Sequence, residues 1–306
     1  MARQRITEIL KTGKVLVSDG AWGTALYLKG LMPGECPDEW SLTHPDEVED
    51  IARSYILAGS DMVETNSFGA NYYKLEHFGL QDMAEAINEA AARASRRAAG
   101  DDKHVIASAG PTGKLLMMGD VTEDDMYRCF KVQAMALEKG GADAVCIETM
   151  SDAEEATLAI RAVKENTHLE IISTFTFEKT AQGEFRSMMG LTPVEAVRRA
   201  IDAGADIAGA NCGNGMERMV EIVREIKTAF PNVYILVHAN AGLPVNVNGE
   251  DVFPETPETM AAFVPQLLAA GANIIGGCCG TTPAHIKAIR RVVDNERRHV
   301  NAQSSL

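Results

Sequence analysis

Ala-Ala-Gly-Ala-Asn-Ile-Ile-Gly-Gly-Cys-Cys, residues 269–279, ends a helix, turns, and drives a short apolar strand into two adjacent cysteines. The same grammar recurs in Leu-Ala-Gly-Ser-Asp-Met-Val-Glu-Thr (57–65), Lys-Gly-Gly-Ala-Asp-Ala-Val-Cys-Ile-Glu-Thr (139–149) and Asp-Ala-Gly-Ala-Asp-Ile-Ala-Gly-Ala-Asn-Cys (202–212). In each, a glycine (Gly59, Gly141, Gly204, Gly271) predicts a helix end in the left-handed conformation that costs glycine no Cβ clash. An Asp or Asn then turns the chain, and an apolar run follows that stops on a polar or reactive residue. The lengths between the copies vary, which is the grammar of αβ units and not of a solenoid.

Outward from these junctions, β-rich runs alternate with helical patterns along the whole chain. The expected strands are Val15–Ser18, Met62–Thr65, Val105–Ala109, Ala144–Glu148, Ile171–Thr176, Ile207–Ala210, Tyr234–His238 and Asn273–Gly276. The expected helices are Pro45–Ala58, Asp82–Ala99, Glu123–Lys139, Asp152–Glu165, Pro193–Ala203, Met216–Thr228, Pro257–Ala270 and Pro283–Val293. Thr122, Ser151 and Thr192 read as N-caps, and Pro193 and Pro283 stand at first helical positions. Eight βα units in a chain of 306 residues predict an α/β fold, a TIM-type (β/α)8 barrel in a single domain. The competing architecture is a doubly wound open sheet; Asp19-Gly20-Ala21-Trp22-Gly23-Thr24 after the first strand lacks the spacing of its dinucleotide fingerprint. The domain is expected over residues 1–295, followed by a frayed polar tail at 296–306.

A formal net charge of -14 argues against nucleic acid or an anionic membrane surface as partner. No apolar run is long enough to span a bilayer, and the N-terminus lacks the apolar core of a signal peptide. Six cysteines then read as reduced thiols of a cytoplasmic protein. Cys36, Cys129 and Cys146 have no ligand-like spacing and are expected as small buried or surface residues.

A barrel brings its strand ends to one mouth. There the sequence delivers Asp19 with Gly20, Gly23 and Thr24, then Glu64, Thr65 and Asn66, then Glu148, Asn211 and Cys212, His238 and Asn240, and finally Cys278 and Cys279. Adjacent cysteines seldom bond to each other, because the ring they close is strained. Three thiols on two strand ends suit zinc with one coordination position open, although buried small residues are the simpler reading of each alone. Three thiolates around a divalent cation leave a charge of about minus one, a poor setting for making hydroxide and a good one for keeping a substrate sulfur ionised. Asp19 and Glu148 are candidate anchors for an ammonium group, with turn chemistry as the alternative for Asp19. Glu64 and Glu148 each end an apolar strand, where a buried charge needs a partner. His238 is a ligand, a base or a hydrogen-bonded structural residue. Met117-Met118 and Met188-Met189 are loop filler or an apolar surface for a methyl donor or partner.

Asp19-Gly20-Ala21-Trp22-Gly23-Thr24, Glu64 to Asn71, Glu148-Thr149-Met150, Asn211-Cys212-Gly213, Asn240-Ala241-Gly242 and Gly276 to Thr281 together resemble the homocysteine S-methyltransferase family, and most of all the homocysteine-binding module of cobalamin-dependent methionine synthases. The resemblance covers about residues 10–293. It implies Zn2+ on Cys212, Cys278 and Cys279, with homocysteine thiolate in the fourth place attacking a methyl group. It further implies Asp19 and Glu148 on the substrate amino group, and the amides of Gly20 and Ala21 with the region of Thr65 and Asn66 near its carboxylate. Methylcobalamin is the donor so implied, carried by a corrinoid protein or by further methionine synthase modules. No Asp-x-His-x-x-Gly cobalamin motif follows the barrel in this chain. Thr149 stands where betaine-using relatives have tyrosine, which disfavours betaine; S-methylmethionine stays open as donor. Two unrelated readings compete: a phosphate-binding barrel aldolase or isomerase, for which no strand ends in lysine, and a non-catalytic zinc-binding subunit of a larger complex.

Overall fold

The computed structural model describes residues 3–247 and 250–303. Eight parallel strands follow one another around a barrel: β1 Leu16–Val17, β2 Met62–Val63, β3 His104–Ala109, β4 Ala144–Met150, β5 Glu170–Phe175, β6 Ile207–Asn211, β7 Ile235–Ala239 and β8 Ile274–Gly277. Strand order is sequential from β2 to β8, and β1 pairs with β8, which rules out the doubly wound alternative. The outer helices are α1 Pro45–Ala58, α2 Ala84–Ala99, α3 Glu123–Lys139, α4 Ala153–Asn166, α5 Pro193–Ala203, α6 Met216–Ala229, α7 Pro257–Ala261, α8 Val264–Ala270 and α9 Pro283–Gln303. Among the described residues no helix is long and apolar enough to cross a membrane.

The recurring junction proves to be the joint of the barrel. Gly59, Gly141, Gly204 and Gly271 all take positive φ, between 101° and 114°. The next acidic or amide residue then clasps the strand that precedes it. Asp61, Asp143, Asp206 and Asn273 accept, through their side chains, the N–H of Val17, Val105, Ile171 and Ile235 at 2.8–3.0 Å. Their own N–H groups donate to the carbonyls of the same four residues at 2.7–2.9 Å. The motif therefore marks only the even strands, and it locks β1 to β2, β3 to β4, β5 to β6 and β7 to β8. At β1–β2, where no regular ladder is formed, this clasp closes the cylinder.

Inside, side chains two residues apart point the same way and stack in layers. The floor is apolar: Leu16, Met62, Ile106, Ala144, Cys146, Ile172, Ile207, Leu236 and Ile274, plugged from below by Ile6 and Leu10 of the helix Ile6–Leu10. Each large aliphatic group buried there is worth about 1.5–3 kcal/mol. Farther along the strands the lining turns polar, with Ser18, Glu64, Ser108, Glu148, Thr174, Asn211 and His238, all buried. Of the buried and surface positions open to them, Cys36, Cys129 and Cys146 all take buried ones.

Several boundaries differ from expectation. The helix expected over Pro257–Ala270 is two, because Pro265 has no N–H to give Ala261 and its ring crowds that carbonyl. The cap of α4 is Asp152 and not Ser151, since the Asp152 carboxylate accepts the Glu154 N–H at 2.8 Å. Thr122 caps α3, and Thr192 forms a full capping box with Glu195. Two short antiparallel hairpins, Glu178–Lys179 with Phe185–Arg186 and Val245–Val247 with Glu250–Val252, extend the loops after β5 and β7. Helix α9 continues to Gln303, through most of the stretch expected as a frayed tail; residues 304–306 lie outside the described residues.

Candidate active site

Strand β7 lies between β6 and β8, so the residues that leave β6 and β8 meet over its end. The Cys212 N–H donates to His238 O at 2.9 Å, and the Cys278 N–H to Ala239 O at 2.7 Å. Ala241 returns its N–H to Cys279 O at 2.9 Å. These bonds gather the three sulfurs within 4.8 Å of one another, with Cys212 and Cys279 at 3.7 Å. All three cysteines are half-buried, unlike the other cysteines of the chain. Cys212 has φ 56°, a left-handed backbone that costs a non-glycine residue about 1 kcal/mol or more. Thr149, φ 59°, shares that strain, and Asn211 joins the two strand ends by accepting the Thr149 N–H at 2.8 Å.

Hydrogen bonds from Cys278 and Cys279 bring Cys212 down to about 3, while the same bond to Cys212 pushes Cys279 up to about 11 and raises Cys278 as well. The donor set fits zinc: a tetrahedral edge at a Zn–S length of about 2.3 Å is about 3.8 Å, close to the 3.7 Å found here. Such a cation would hold all three as thiolates.

Beside the thiols lies a cluster of buried carboxyls: Asp19, Glu64 and Glu148. Burial raises Asp19 to about 6 and Glu148 to about 7, and with help from the charges of those two it holds Glu64 well above the usual carboxylate range. Among the described residues no lysine or arginine pairs with any of them. Glu148 is held by Ser108 and, at 3.1 Å, by Asn211 Nδ2. Asp19 accepts the Glu64 N–H at 2.7 Å and the Trp22 indole N–H at 2.9 Å. Glu64 Oε1 has no hydrogen-bond partner, and His238 Nδ1 lies 3.5 Å from it. Burial lowers His238 to about 4, so it is neutral, and its Nε2 is also unpartnered. Asn240, which donates toward the Cys212 sulfur, leaves its Oδ1 unpartnered. A site with three buried carboxyls, no lysine or arginine paired with them among the described residues, and orphaned acceptors is built to take a positively charged group, whose charge would favour their ionised form.

Other residues named from the sequence are occupied within the protein. Thr65 Oγ1 meets Ser67 at 2.5 Å and accepts the Ser108 N–H at 3.0 Å. Asn66 donates to Pro37 O at 2.7 Å and Ser41 at 3.3 Å, pinning the segment after β1. Asn211 spends both ends of its amide on Glu148, Thr149 and Thr174. The Ala21 N–H is taken by Thr281 Oγ1 at 3.0 Å, so it is not open to a ligand. Thr24 sits half-buried in the first turn of the helix Trp22–Leu28, whose N-terminus has no side-chain cap. Sequence reasoning passed over Ser108 and Thr281 as site residues. Ser108 is the last polar residue of β3, one position before its end at Ala109, a signal close to the one that singled out Glu64; Thr281 carries no local signal beyond its place in the cysteine motif.

A family model for homocysteine S-methyltransferases matches residues 16–293. The chain is 32% identical to the methionine synthase of Mycobacterium tuberculosis and 31% identical to that of Mycobacterium leprae, over 93% and 94% of its length. It spans 25% of each of those relatives. Among solved structures, the metallated form of the homocysteine methyltransferase MmuM from Escherichia coli superposes with a TM-score of 0.76 at 21% identity, over 93% of this chain and 98% of that one. A methyltransferase from Methanosarcina mazei gives 0.60 at 13% identity, over 93% and 94%. At such identities the two structures speak for the fold.

Proposed function

The chain belongs to the homocysteine S-methyltransferase family, and on that premise we propose that it transfers a methyl group to the sulfur of homocysteine, giving methionine, with zinc held by Cys212, Cys278 and Cys279. The observation that carries this reading is the convergence of those thiols, within 4.8 Å, beside a buried carboxyl cluster with which no lysine or arginine pairs among the described residues. Bound to the thiolates, zinc supplies the positive charge that keeps a substrate thiol ionised at neutral pH. The remaining work falls to the chain. Asp19 and Glu148 hold the substrate ammonium, and its charge draws both carboxyls into their ionised form. Glu64 stands next to them as a third acceptor. Gly20 and Thr24, with the uncapped N–H groups of the helix Trp22–Leu28, receive the carboxylate. Thr65, Asn66 and Asn211 act one step back, by fixing the loops and Glu148, and Asn240 faces the sulfur. In the transfer the S–CH3 bond forms as the bond from methyl to donor breaks, and the donor keeps the electron pair.

We propose a methylcorrinoid, protein-bound or free, as the donor. The methionine synthase relatives support this, and so does the exposure of Met117, Met118 and Met188 on the loops after β3 and β5, an adaptable apolar surface for a corrinoid-carrying partner. Thiols kept reduced for metal point to the cytoplasm as the compartment. The test is a panel of methylcobalamin, S-methylmethionine and betaine, each with homocysteine on zinc-loaded protein. Methionine formation from methylcobalamin is expected. Turnover with S-methylmethionine alone would reassign the donor, and zinc-loaded protein that binds no homocysteine would make this a non-catalytic zinc subunit.

A further inference from the structure

One hydroxyl ties the sulfur end of the site to its amino-acid end. Thr281, 1% exposed, donates through Oγ1 to Cys278 O at 2.7 Å and accepts the Ala21 N–H on the same oxygen at 3.0 Å. The other side of Ala21 is clamped by Tyr55, whose hydroxyl donates to Ala21 O at 2.7 Å. A second strut runs in parallel, from the Gly277 N–H to Asp19 O at 2.8 Å. The Thr281 oxygen is wedged between two glycines. A Cβ on Gly277 would stand 2.4 Å from it, and one on Gly20 would stand 2.7 Å from it and 2.9 Å from the Tyr55 ring. The turn that holds two of the three thiols and the loop that carries Asp19 thus move as one body, although about 260 residues separate them in sequence.

From this we infer that Thr281 is a positioning residue that sets the span between the thiol-binding and ammonium-binding ends of the pocket, and so selects an amino acid with a γ-thiol over the β-thiol of cysteine. The inference rests on the homocysteine reading given above. Cysteine is one methylene shorter, so on a rigid body it reaches the sulfur position only by leaving the carboxyls, whereas a slack body lets the two ends approach. A methylene is worth about 10- to 200-fold in a well-fitted pocket, which sets the size of preference that a single tether can govern.

The test measures binding of homocysteine and of cysteine to the zinc-loaded and cobalt-loaded full chain, by calorimetry and by sulfur-to-cobalt charge-transfer absorption, with metal content determined for each variant. Thr281→Val keeps the shape and loses the hydroxyl. It is expected to keep its metal, to bind homocysteine about 10-fold more weakly, and to lose most of the preference over cysteine. Thr281→Ser, which restores the hydroxyl, is expected to recover the preference. A Thr281→Val protein with the native ratio, or one weakened equally for both thiols, overturns the inference. If that variant fails to fold, Tyr55→Phe decides, because it frees Ala21 from the other side: a narrowed ratio supports the tether and a native ratio overturns it. Native protein that binds neither thiol overturns the homocysteine reading itself, and the tether with it.

Discussion

Cys278 is bonded through its backbone to both β7 and Thr281, so its side chain has little freedom to seek another partner. Cys278→Ser is therefore expected to lower bound zinc well below one equivalent and methyl transfer by more than about 100-fold, as metal analysis beside the donor assay would show. Undiminished activity in a zinc-free variant would remove the metal from the reaction. Glu148 gives a prediction of the opposite kind, in which function and stability part. Its folded pKa is raised, to about 7 from 4.5. Between those values the folded chain keeps a proton that the unfolded chain has lost, so this carboxyl's contribution is fully present below about 4.5 and fades as pH rises through about 7. Asp19, raised to about 6 from 3.8, acts with the same sign. Glu148→Gln can still bond Ser108 and Asn211 but cannot ionise. In urea denaturation of substrate-free protein it is expected to be on the order of 2 kcal/mol more stable than the native chain near pH 8, and equal to it near pH 4.5. Its homocysteine affinity is expected to fall about 100-fold. Native stability that rises between about pH 5 and 8 would show that the carboxyl ionises without penalty.

At the level of strands, what the sequence revealed and what it hid divide by the range of the interaction. The glycine and Asp or Asn of each even-strand junction form a local signal, and they place β2, β4, β6 and β8 to within a few residues. The cysteines were legible for the same reason: each ends an apolar run, and barrel closure brings the ends of β6 and β8 together over β7. The Thr281–Ala21 bond, the clamp of Asn211 on Glu148 and the plug of Ile6 and Leu10 join distant parts of the chain, and no periodicity records them. The hairpins after β5 and β7 were too short to alternate visibly, and Pro265 was overridden by a good helical pattern on both sides of it. Gly209 is a strand residue whose importance only packing exposes. A Cβ there would stand 1.9 Å from Leu236 O on β7, inside the hydrogen-bonded approach of the two strands that carry the sulfur site. Gly209→Ala is expected to cost more than about 3 kcal/mol, or to leave the protein insoluble, because neither strand can retreat without breaking its other ladder. A soluble variant with native unfolding behaviour would mean that the β6–β7 contact is softer than these distances imply.

The whole molecule is four clasped strand pairs, and their side-chain clasps are not equally backed by ladder hydrogen bonds. β3–β4, β5–β6 and β7–β8 each have regular pairing beside the Asp or Asn, whereas β1–β2 depends on Asp61. That carboxylate carries more than the Val17 amide. Arg290 of α9 donates to it at 2.8 Å, and Lys14 and Lys103 lie at 3.6 and 3.8 Å. It therefore fastens the last helix to the seam as well as closing the sheet. Immediately along the same seam the next link is the Glu64 N–H on the Asp19 carboxylate, so the closure and the ammonium anchor are successive rungs. Asp61→Ala leaves a strand amide without its acceptor and a largely buried guanidinium without one of its partners, and it is expected to cost about 2–4 kcal/mol. Asp61→Asn keeps the acceptor for Val17, as Asn273 does for Ile235, and should recover part of that loss. The distinguishing measurement is amide hydrogen exchange. In Asp61→Ala, Val17 and Glu64 are expected to exchange faster than the ladder amides of β3 to β7, with homocysteine affinity falling in step. Uniform acceleration around the barrel would instead mean that the cylinder opens as a unit and that β1–β2 is no weaker than the rest.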